Sequence, residues 1–359
     1  MKEICLNTAS KSQVFIESGI LDGTAYADFV KPAASIFLVT DANVASLYLD
    51  KASKWLKSSD CRLESCVLRP GEAEKSFENL LSLFEHFHEA NLDRHSLIAA
   101  LGGGVVGDIA GFASATYMRG TRFLQIPTTL LAQVDASIGG KTAVNHLGIK
   151  NLIGAFHQPE ATVVDTDVLS TLPEREIRCG FAEILKSAII GDQQLFSILE
   201  SLPSLSSLPD KELLEEIIIR SATVKADVVS EDEREKGRRM VLNFGHTIGH
   251  ALEEMKEFNA KTHGEAIAEG IVLETRLATE MGIADADTAE AIEKLAEKIT
   301  VKTDIHKDNI SCIVELLFSD KKVRNRKLIF ALPVRIGEVQ IVDDVEPGLV
   351  RKIIEEAYN

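Results

Sequence analysis

The stretch from Leu97 to Asp108, Leu-Ile-Ala-Ala-Leu-Gly-Gly-Gly-Val-Val-Gly-Asp, constrains this chain more than any other. Its first five residues are a short apolar run that reads as a buried strand. The glycines that follow let the backbone turn tightly and approach a ligand, since no Cβ stands in the way. Residues 109–118 continue with small and apolar side chains and read as a helix. Gly102, Gly104 and Gly107 thus fit a G-x-G-x-x-G loop, where free backbone N–H groups and the helix dipole favour a phosphate. Alone, the pattern also fits a glycine-rich turn with no ligand. Asp108 beside the loop, Arg119 ending the helix and a second polar cluster further on favour the ligand. An ordinary dinucleotide fingerprint has an acid about 20 residues downstream. Here the next acid is Asp135, in a different element, so a dinucleotide on this loop must find its ribose carboxylate elsewhere.

At 359 residues the chain exceeds one simple core and predicts two domains. No apolar run reaches the length of a membrane span, and the N-terminus lacks the charged-then-apolar build of a signal peptide. A cytoplasmic protein is expected. Cys5, Cys61, Cys66, Cys179 and Cys312 are odd in number and form no C-x-x-C pair, which reads as reduced thiols. A formal charge of −16 argues against a nucleic-acid or anionic-membrane surface. It also makes cations in apolar, glycine-rich stretches informative, because they point to an anionic ligand.

Strands alternate with helices through the first half. Residues 13–17 and 35–40 read as strands, the second ending at Thr40-Asp41-Ala42-Asn43. Asp41 is there either a ligand contact at a strand's carboxyl end or the cap of a helix over 44–55. A strand over 63–68 runs into Glu72-Ala73-Glu74-Lys75, and an amphipathic helix over 77–90 follows. Further strands cover 122–126 and 161–165. The alternation predicts a parallel α/β domain over residues 1–172. Asp135 and Lys141 fit a structural ion pair, but Arg119 and Lys150 also follow the glycines, so a phosphate or carboxylate site is the better reading.

From Pro173 helical periodicity takes over, predicting a mainly helical domain over 173–359. Glu183 and Lys186 share one face of a helix over 173–190, among Phe181, Ala182, Ile184 and Leu185, which is too apolar for a solvated salt bridge. A helix over 211–229 carries Lys225, and an acidic cluster over 231–235 follows. Residues 238–255 read as a single buried helix on which Arg239, Asn243, His246 and His250, at offsets of 4, 7 and 11, form one stripe. Gly245 and Gly249 cost about 1 kcal/mol each inside a helix and signal close approach by a backbone or ligand. Such a polar stripe is costly to bury unless it faces a site. His263-Gly264-Glu265 opens a helix to about 281. His246 and His250 have zinc-like spacing, but Thr247 replaces the glutamate of H-E-x-x-H. The residues alone therefore leave Glu183, His246, His250 and His263 as metal candidates. The tail predicts helices near 287–299 and 308–318, strands over 328–332 and 338–342, and a last helix.

Together these segments resemble the 3-dehydroquinate synthases over nearly the whole chain. The resemblance is carried by Gly102 to Asp108, Pro127 to Asp135, Gly139-Gly140-Lys141-Thr142, Lys150 to Phe156, Ala182 to Lys186, Asn243 to Glu253 and His263-Gly264-Glu265, in the family's order. It implies a Rossmann-like α/β N-terminal domain, a helical C-terminal domain, a site in the cleft and a homodimer. It implies conversion of 3-deoxy-arabino-heptulosonate 7-phosphate to 3-dehydroquinate with loss of phosphate, in the shikimate pathway, using catalytic NAD and Zn2+ or Co2+. By the resemblance Glu183, His246 and His263 hold the metal, and His250 and Glu235 handle protons. Arg119, Asp135, Lys141, Asn151, Lys186, Lys225, Arg239 and Asn243 match substrate contacts. Gly103, Gly104, Val105, Asp108, Thr128, Thr129, Lys141, Lys150, Leu169 and Thr171 match NAD contacts, with Asp41, Asn43, Glu72 and Lys75 nearer the adenosine end. The early carboxylates would supply the missing ribose acid.

Two positions depart from the family pattern. Cys179 stands where relatives carry a small polar residue near the cofactor, and Arg326 stands where glycine often follows Asp-Lys-Lys, which bears on Lys321 and Lys322. The alternatives are a sugar-phosphate cyclase making 2-deoxy-scyllo-inosose or 2-epi-5-epi-valiolone, and a metal-dependent polyol dehydrogenase. Dehydrogenases of that kind usually begin their metal set with aspartate rather than a residue like Glu183. A non-enzymatic binding module gives no reason for so many polar groups on apolar elements.

Overall fold

In the computed structural model, residues 1–23, 26–57, 61–255, 261–300, 307–319 and 328–358 are described. They form two compact units, one of Met1–Leu172 with Asp210–Arg234, the other of Pro173–Pro209 with Glu235–Asn359. The second half expected from the sequence is therefore interrupted, because residues 210–234 cluster with the first unit.

The first unit is built on a seven-stranded sheet. In chain order its strands are β1 (Lys2–Leu6), β2 (Ser12–Glu17), β3 (Ser35–Asp41), β4 (Arg62–Leu68), β5 (Leu97–Gly102), β6 (Arg122–Pro127) and β9 (Ala161–Asp165). A separate antiparallel hairpin pairs β7 (Lys141–His146) with β8 (Ile149–Phe156). The spatial order β1-β2-β9-β6-β5-β3-β4 is parallel apart from the β1–β2 pair. Successive side chains of the central strands point to opposite faces. Leu97, Ala99 and Leu101 of β5 join Ile36, Leu38, Leu124 and Ile126 on one face. Ile98 and Ala100 join Phe37, Val39 and Phe123 on the other. Both faces are covered, as a parallel sheet requires, which explains why β5 is apolar throughout rather than alternating.

Helix Lys211–Glu231 packs on β1 and on the π-helical turn Ala132–Ala136. Its end is tied down by Asn7 N donating to Ser230 Oγ (3.0 Å). Just beyond it, Ala9 N donates to Glu233 Oε2 (3.1 Å) and Gln158 Nε2 to Glu233 Oε1 (3.0 Å).

The second unit is mainly helical, with helices Glu174–Gly191, Gln193–Ser201, His246–Glu254, His263–Glu280, Ala286–Ala296, Lys307–Ser319 and Pro347–Ala357, and one hairpin, Leu328–Arg335 with Glu338–Val345. No helix among the described residues is long and apolar enough to cross a membrane. Lys321, Lys322 and Arg326 lie outside the described residues.

Candidate active site

Asp41, Gly103, Gly104, Thr128 and Thr129 lie at the carboxyl ends of three adjacent parallel strands. Thr40 of β3 pairs with Leu101 of β5, and Gly102 pairs with Pro127 of β6. Asp41 ends β3, and Gly103 and Thr128 follow β5 and β6 out of the sheet, all at the edge where open α/β sheets bind ligands. The glycine turn is shorter than the motif implies. Gly103 is the N-cap of helix Gly104–Thr116, with no side-chain cap, and Gly107 lies inside the helix with its N–H on Gly103 O (3.1 Å). The N–H groups of Gly104, Val105 and Val106 precede the first intrahelical bond, so they are placed to receive an anion. Gly107 faces the Gln125 side chain instead: a Cβ there would lie 2.8 Å from Gln125 Oε1. Thr128 Oγ1 is buried with no hydrogen-bond partner among the described residues, while Thr129 Oγ1 accepts from Ala132 N at 3.1 Å.

Asp41 acts as the helix cap, accepting from Asn43 N (2.8 Å) and Val44 N (3.2 Å) with Oδ1. Lys75 is buried and its Nζ lies 2.6 Å from Asp108 Oδ2 and 3.7 Å from Glu72 Oε1. Burial pushes the Asp108 carboxyl up, against the pull of Lys75. The network extends through Asn145, which donates from Nδ2 to Glu72 Oε1 (2.8 Å) and whose Oδ1 accepts from Asn151 N (2.9 Å). Asp135 pairs with Lys225: Nζ lies 2.7 Å from Oδ1 and donates to the Asp135 carbonyl at 2.6 Å. Arg119, Lys141, Lys150 and Asn151 are exposed. Leu169 is fully buried, and Thr171 Oγ1 lies 2.7 Å from the Tyr48 hydroxyl.

In the second unit, Glu183, His246 and His263 bring one ligand atom each within 4.8 Å of one another. Glu183 Oε1 lies 3.2 Å from His263 Nε2 and 3.5 Å from His246 Nε2. His246 Nδ1 faces the Phe244 carbonyl at 3.1 Å, and His263 Nδ1 faces Glu253 Oε2 at 3.2 Å. Each imidazole thus ties its Nδ1 to an acceptor and turns Nε2 toward Glu183, the arrangement that fixes a metal-ligating histidine. Burial would raise the Glu183 carboxyl, but Lys186 and His263 hold it well below the usual range. Burial disfavours the charged form of His263, yet Glu183 and Glu253 hold it up at about 9. A carboxylate and two imidazoles, two of them backed by a further acceptor, suit a divalent metal of the zinc or cobalt type. His250 stands beside the cluster, its ring centre 5.2 Å from that of His246 and 6.0 Å from that of His263.

The histidines do not share one long helix with Arg239 and Asn243. Arg238–Asn243 is a 3-10 turn, Gly245 takes a left-handed conformation (φ 78°), and a new helix begins at His246. A side chain at Gly245 would meet Ile271 Cγ1 at 2.6 Å and Ile267 O at 3.1 Å, so only glycine makes this break. Asn243 Nδ2 still reaches Glu235 Oε1 at 2.8 Å, and Arg239 is buried.

Residues 65–179 match the 3-dehydroquinate synthase N-terminal family and residues 180–323 the C-terminal family. The chain belongs to the 3-dehydroquinate synthases. It is 42% identical to the 3-dehydroquinate synthase of Nostoc punctiforme over 91% of each chain. Among solved structures it resembles 2-deoxy-scyllo-inosose synthase complexed with carbaglucose-6-phosphate, NAD+ and Co2+ (TM-score 0.88, 26% identity, 99% of each chain). It also resembles 2-epi-5-epi-valiolone synthase from Streptomyces hygroscopicus with NAD+ and Zn2+ bound (TM-score 0.85, 28% identity, 96% of this chain and 95% of that one).

Sequence reasoning missed two carboxylates. Glu253 orients His263, and buried Glu274 accepts from the backbone at the start of the His246 helix. The spacing of seven between His246 and Glu253, two turns of one helix, was the available signal for the first. Cys179 serves packing here. Its Sγ accepts from Gly264 N at 3.1 Å, and a Cβ on Gly264 would lie 2.3 Å from Cys179 Cα. Burial pushes this thiol up to about 12, which leaves it unreactive.

Proposed function

We propose that the chain converts 3-deoxy-D-arabino-heptulosonate 7-phosphate to 3-dehydroquinate and phosphate, in the shikimate pathway, with Glu183, His246 and His263 as ligands of a divalent metal. The Glu183–His246–His263 cluster, in a chain so similar to named 3-dehydroquinate synthases, carries the reading. Two solved relatives bind NAD+ with Co2+ or Zn2+, which supports the same pair of cofactors here. When bound, NAD takes and returns a hydride and the metal polarises substrate hydroxyls as a Lewis acid.

The protein's own groups supply the rest. The N–H groups at Gly104 to Val106 and the Lys150 cation hold the dinucleotide's phosphates. Gly103, Thr128, Thr129, Leu169, Thr171 and Lys141 line the cofactor, with Asp108 and Lys75 behind the glycine turn. Asp41, Asn43 and Glu72 serve the adenosine end. Arg119, Lys186, Lys225 and Arg239 suit the substrate's phosphate and carboxylate. Asp135, Asn151 and Asn243 fix its hydroxyls, and His250 and Glu235 hold and move protons. The α/β unit then carries the dinucleotide and the helical unit the metal. A cytoplasmic homodimer completes the reading.

The test is phosphate release from this substrate with a trace of NAD, while NADH absorbance is followed and a chelator arm is run in parallel. Release far exceeding the NAD supplied, with no lasting NADH and with loss on chelation, is the expected result. No release would move the assignment to another sugar-phosphate cyclase, the activity of the two solved relatives. Steady NADH build-up on a polyol would make the protein a dehydrogenase.

A further inference from the structure

The helix that begins at His246 has no cap of its own. Its N-cap is Gly245, which has no side chain to offer. The cap comes from another helix: Glu274, in His263–Glu280, accepts from Gly245 N with Oε2 (2.7 Å) and from Ile248 N with Oε1 (3.0 Å). The two donors flank His246 in sequence, so the carboxylate grips the turn that aims this imidazole. Glu274 is fully buried, and a carboxylate in such a place is costly unless its charge is met. Here it meets backbone N–H groups at the positive end of a helix, where an anion is stabilised.

The same two helices are held at backbone contact. A Cβ on Gly270 would lie 2.0 Å from Gly245 O, and one on Gly249 would lie 3.0 Å from Ala266 O. Only glycine at positions 249 and 270 lets the two helices approach this closely. His263 opens one helix and His246 opens the other, so the separation of the two imidazoles is set by this packed pair and by the carboxylate that bridges it.

We propose that Glu274 is a positioning residue for the metal site: by capping the His246 helix from the His263 helix, it fixes where His246 Nε2 stands relative to His263 and Glu183. The proposal rests on the Glu183–His246–His263 reading. It concerns geometry at the metal, so its consequence is seen in metal binding itself.

The test measures Co2+ and Zn2+ dissociation constants by chelator competition for wild type, Glu274→Gln and Glu274→Asp, and the visible absorption of the Co2+-loaded proteins. Work is done well below each apo-protein's melting temperature. Loss of a group that orients a metal ligand typically weakens binding about 10–100-fold. The expected result is a rise of that size for Glu274→Gln, with a changed cobalt band. Glu274→Asp, with a shorter reach, takes over as the reporter if the glutamine variant does not fold. An unchanged dissociation constant, whatever the melting temperature does, overturns the proposal, and so does weaker binding with an unaltered cobalt band. Glu183→Ala separates the two ideas. If it binds metal like wild type, the metal-site reading fails; if it loses metal while both Glu274 variants keep it, only the positioning role fails.

Discussion

Glu253 Oε2 lies 3.2 Å from His263 Nδ1, ten residues further along the chain. The carboxylate sits behind the imidazole, on the side away from Glu183. A carboxylate in that place fixes the ring's tautomer and raises its basicity as a ligand. Glu253→Gln keeps an acceptor without the charge, whereas Glu253→Ala removes both. Chelator competition should show weaker Zn2+ binding for both, with the alanine variant about 10–100-fold weaker than wild type and the glutamine variant between. Equal binding by all three proteins would remove Glu253 from the site.

Lys225 and Asp135 tie helix Lys211–Glu231 to the turn after β6. The lysine is buried and the aspartate three-quarters so, with 25% of its side chain exposed. Lys225→Met keeps the aliphatic stem and removes the charge that faces the Asp135 carboxylate. Removing one partner of a buried pair costs about 3 kcal/mol. A lowered urea midpoint with an unchanged slope should show it, together with a large loss of turnover. A wild-type midpoint would mean that the pair contributes nothing to the fold.

Three residues proposed for substrate handling have left-handed backbones: Arg119 (φ 68°), Asn151 (φ 52°) and Glu235 (φ 55°). A side chain in that region costs about 1 kcal/mol or more, and such strain collects at functional positions. Glu235→Gly and Glu235→Ala both lose the carboxylate, so both should lose turnover. The glycine variant should be more stable than the alanine variant by about 1 kcal/mol, read from thermal or urea unfolding. The reverse order would show that the backbone at Glu235 is unstrained.

The Cys179 thiol is pushed up from 9.0 to about 12 by burial. A group held neutral in the fold stabilises it fully below the unfolded value and loses that contribution as pH rises above it. Stability should therefore fall above pH 9 by up to about 1.4 kcal/mol per pH unit from this group. Cys179→Ser should flatten that alkaline limb between pH 9 and 10.5. Identical limbs would contradict the assignment. Alkylation at neutral pH should label exposed Cys5 and Cys312 and spare Cys179 in the folded protein.

The parallel strands, and the buried pairing of Glu183 with Lys186, were legible because apolar periodicity reports burial directly. The break at Gly245 was not. A glycine within a helical pattern has the same appearance whether it packs closely or turns the chain, and only the neighbouring Ile267 and Ile271 decide. The hairpin of β7 and β8 was hidden because its glycines and polar residues interrupt any alternation, and β1 and helix Gln193–Ser201 were also missed. Glu274 was invisible for another reason. An acid on a helix looks solvated until a second helix presents its backbone to it.

Helix Lys211–Glu231 belongs with a sheet whose last strand ends at Asp165, so the chain leaves the first unit after residue 172 and comes back to it at 210. During synthesis, the sheet of residues 1–172 leaves the ribosome without Lys225 to meet Asp135 and without Glu233 to hold Gln158 and the Ala9 backbone. Residues 173–209 must emerge before that closing helix can arrive. A gene fragment stopped at residue 172 should accordingly yield an incomplete, aggregation-prone product, and a split into two independently expressed halves has no single point at which to cut.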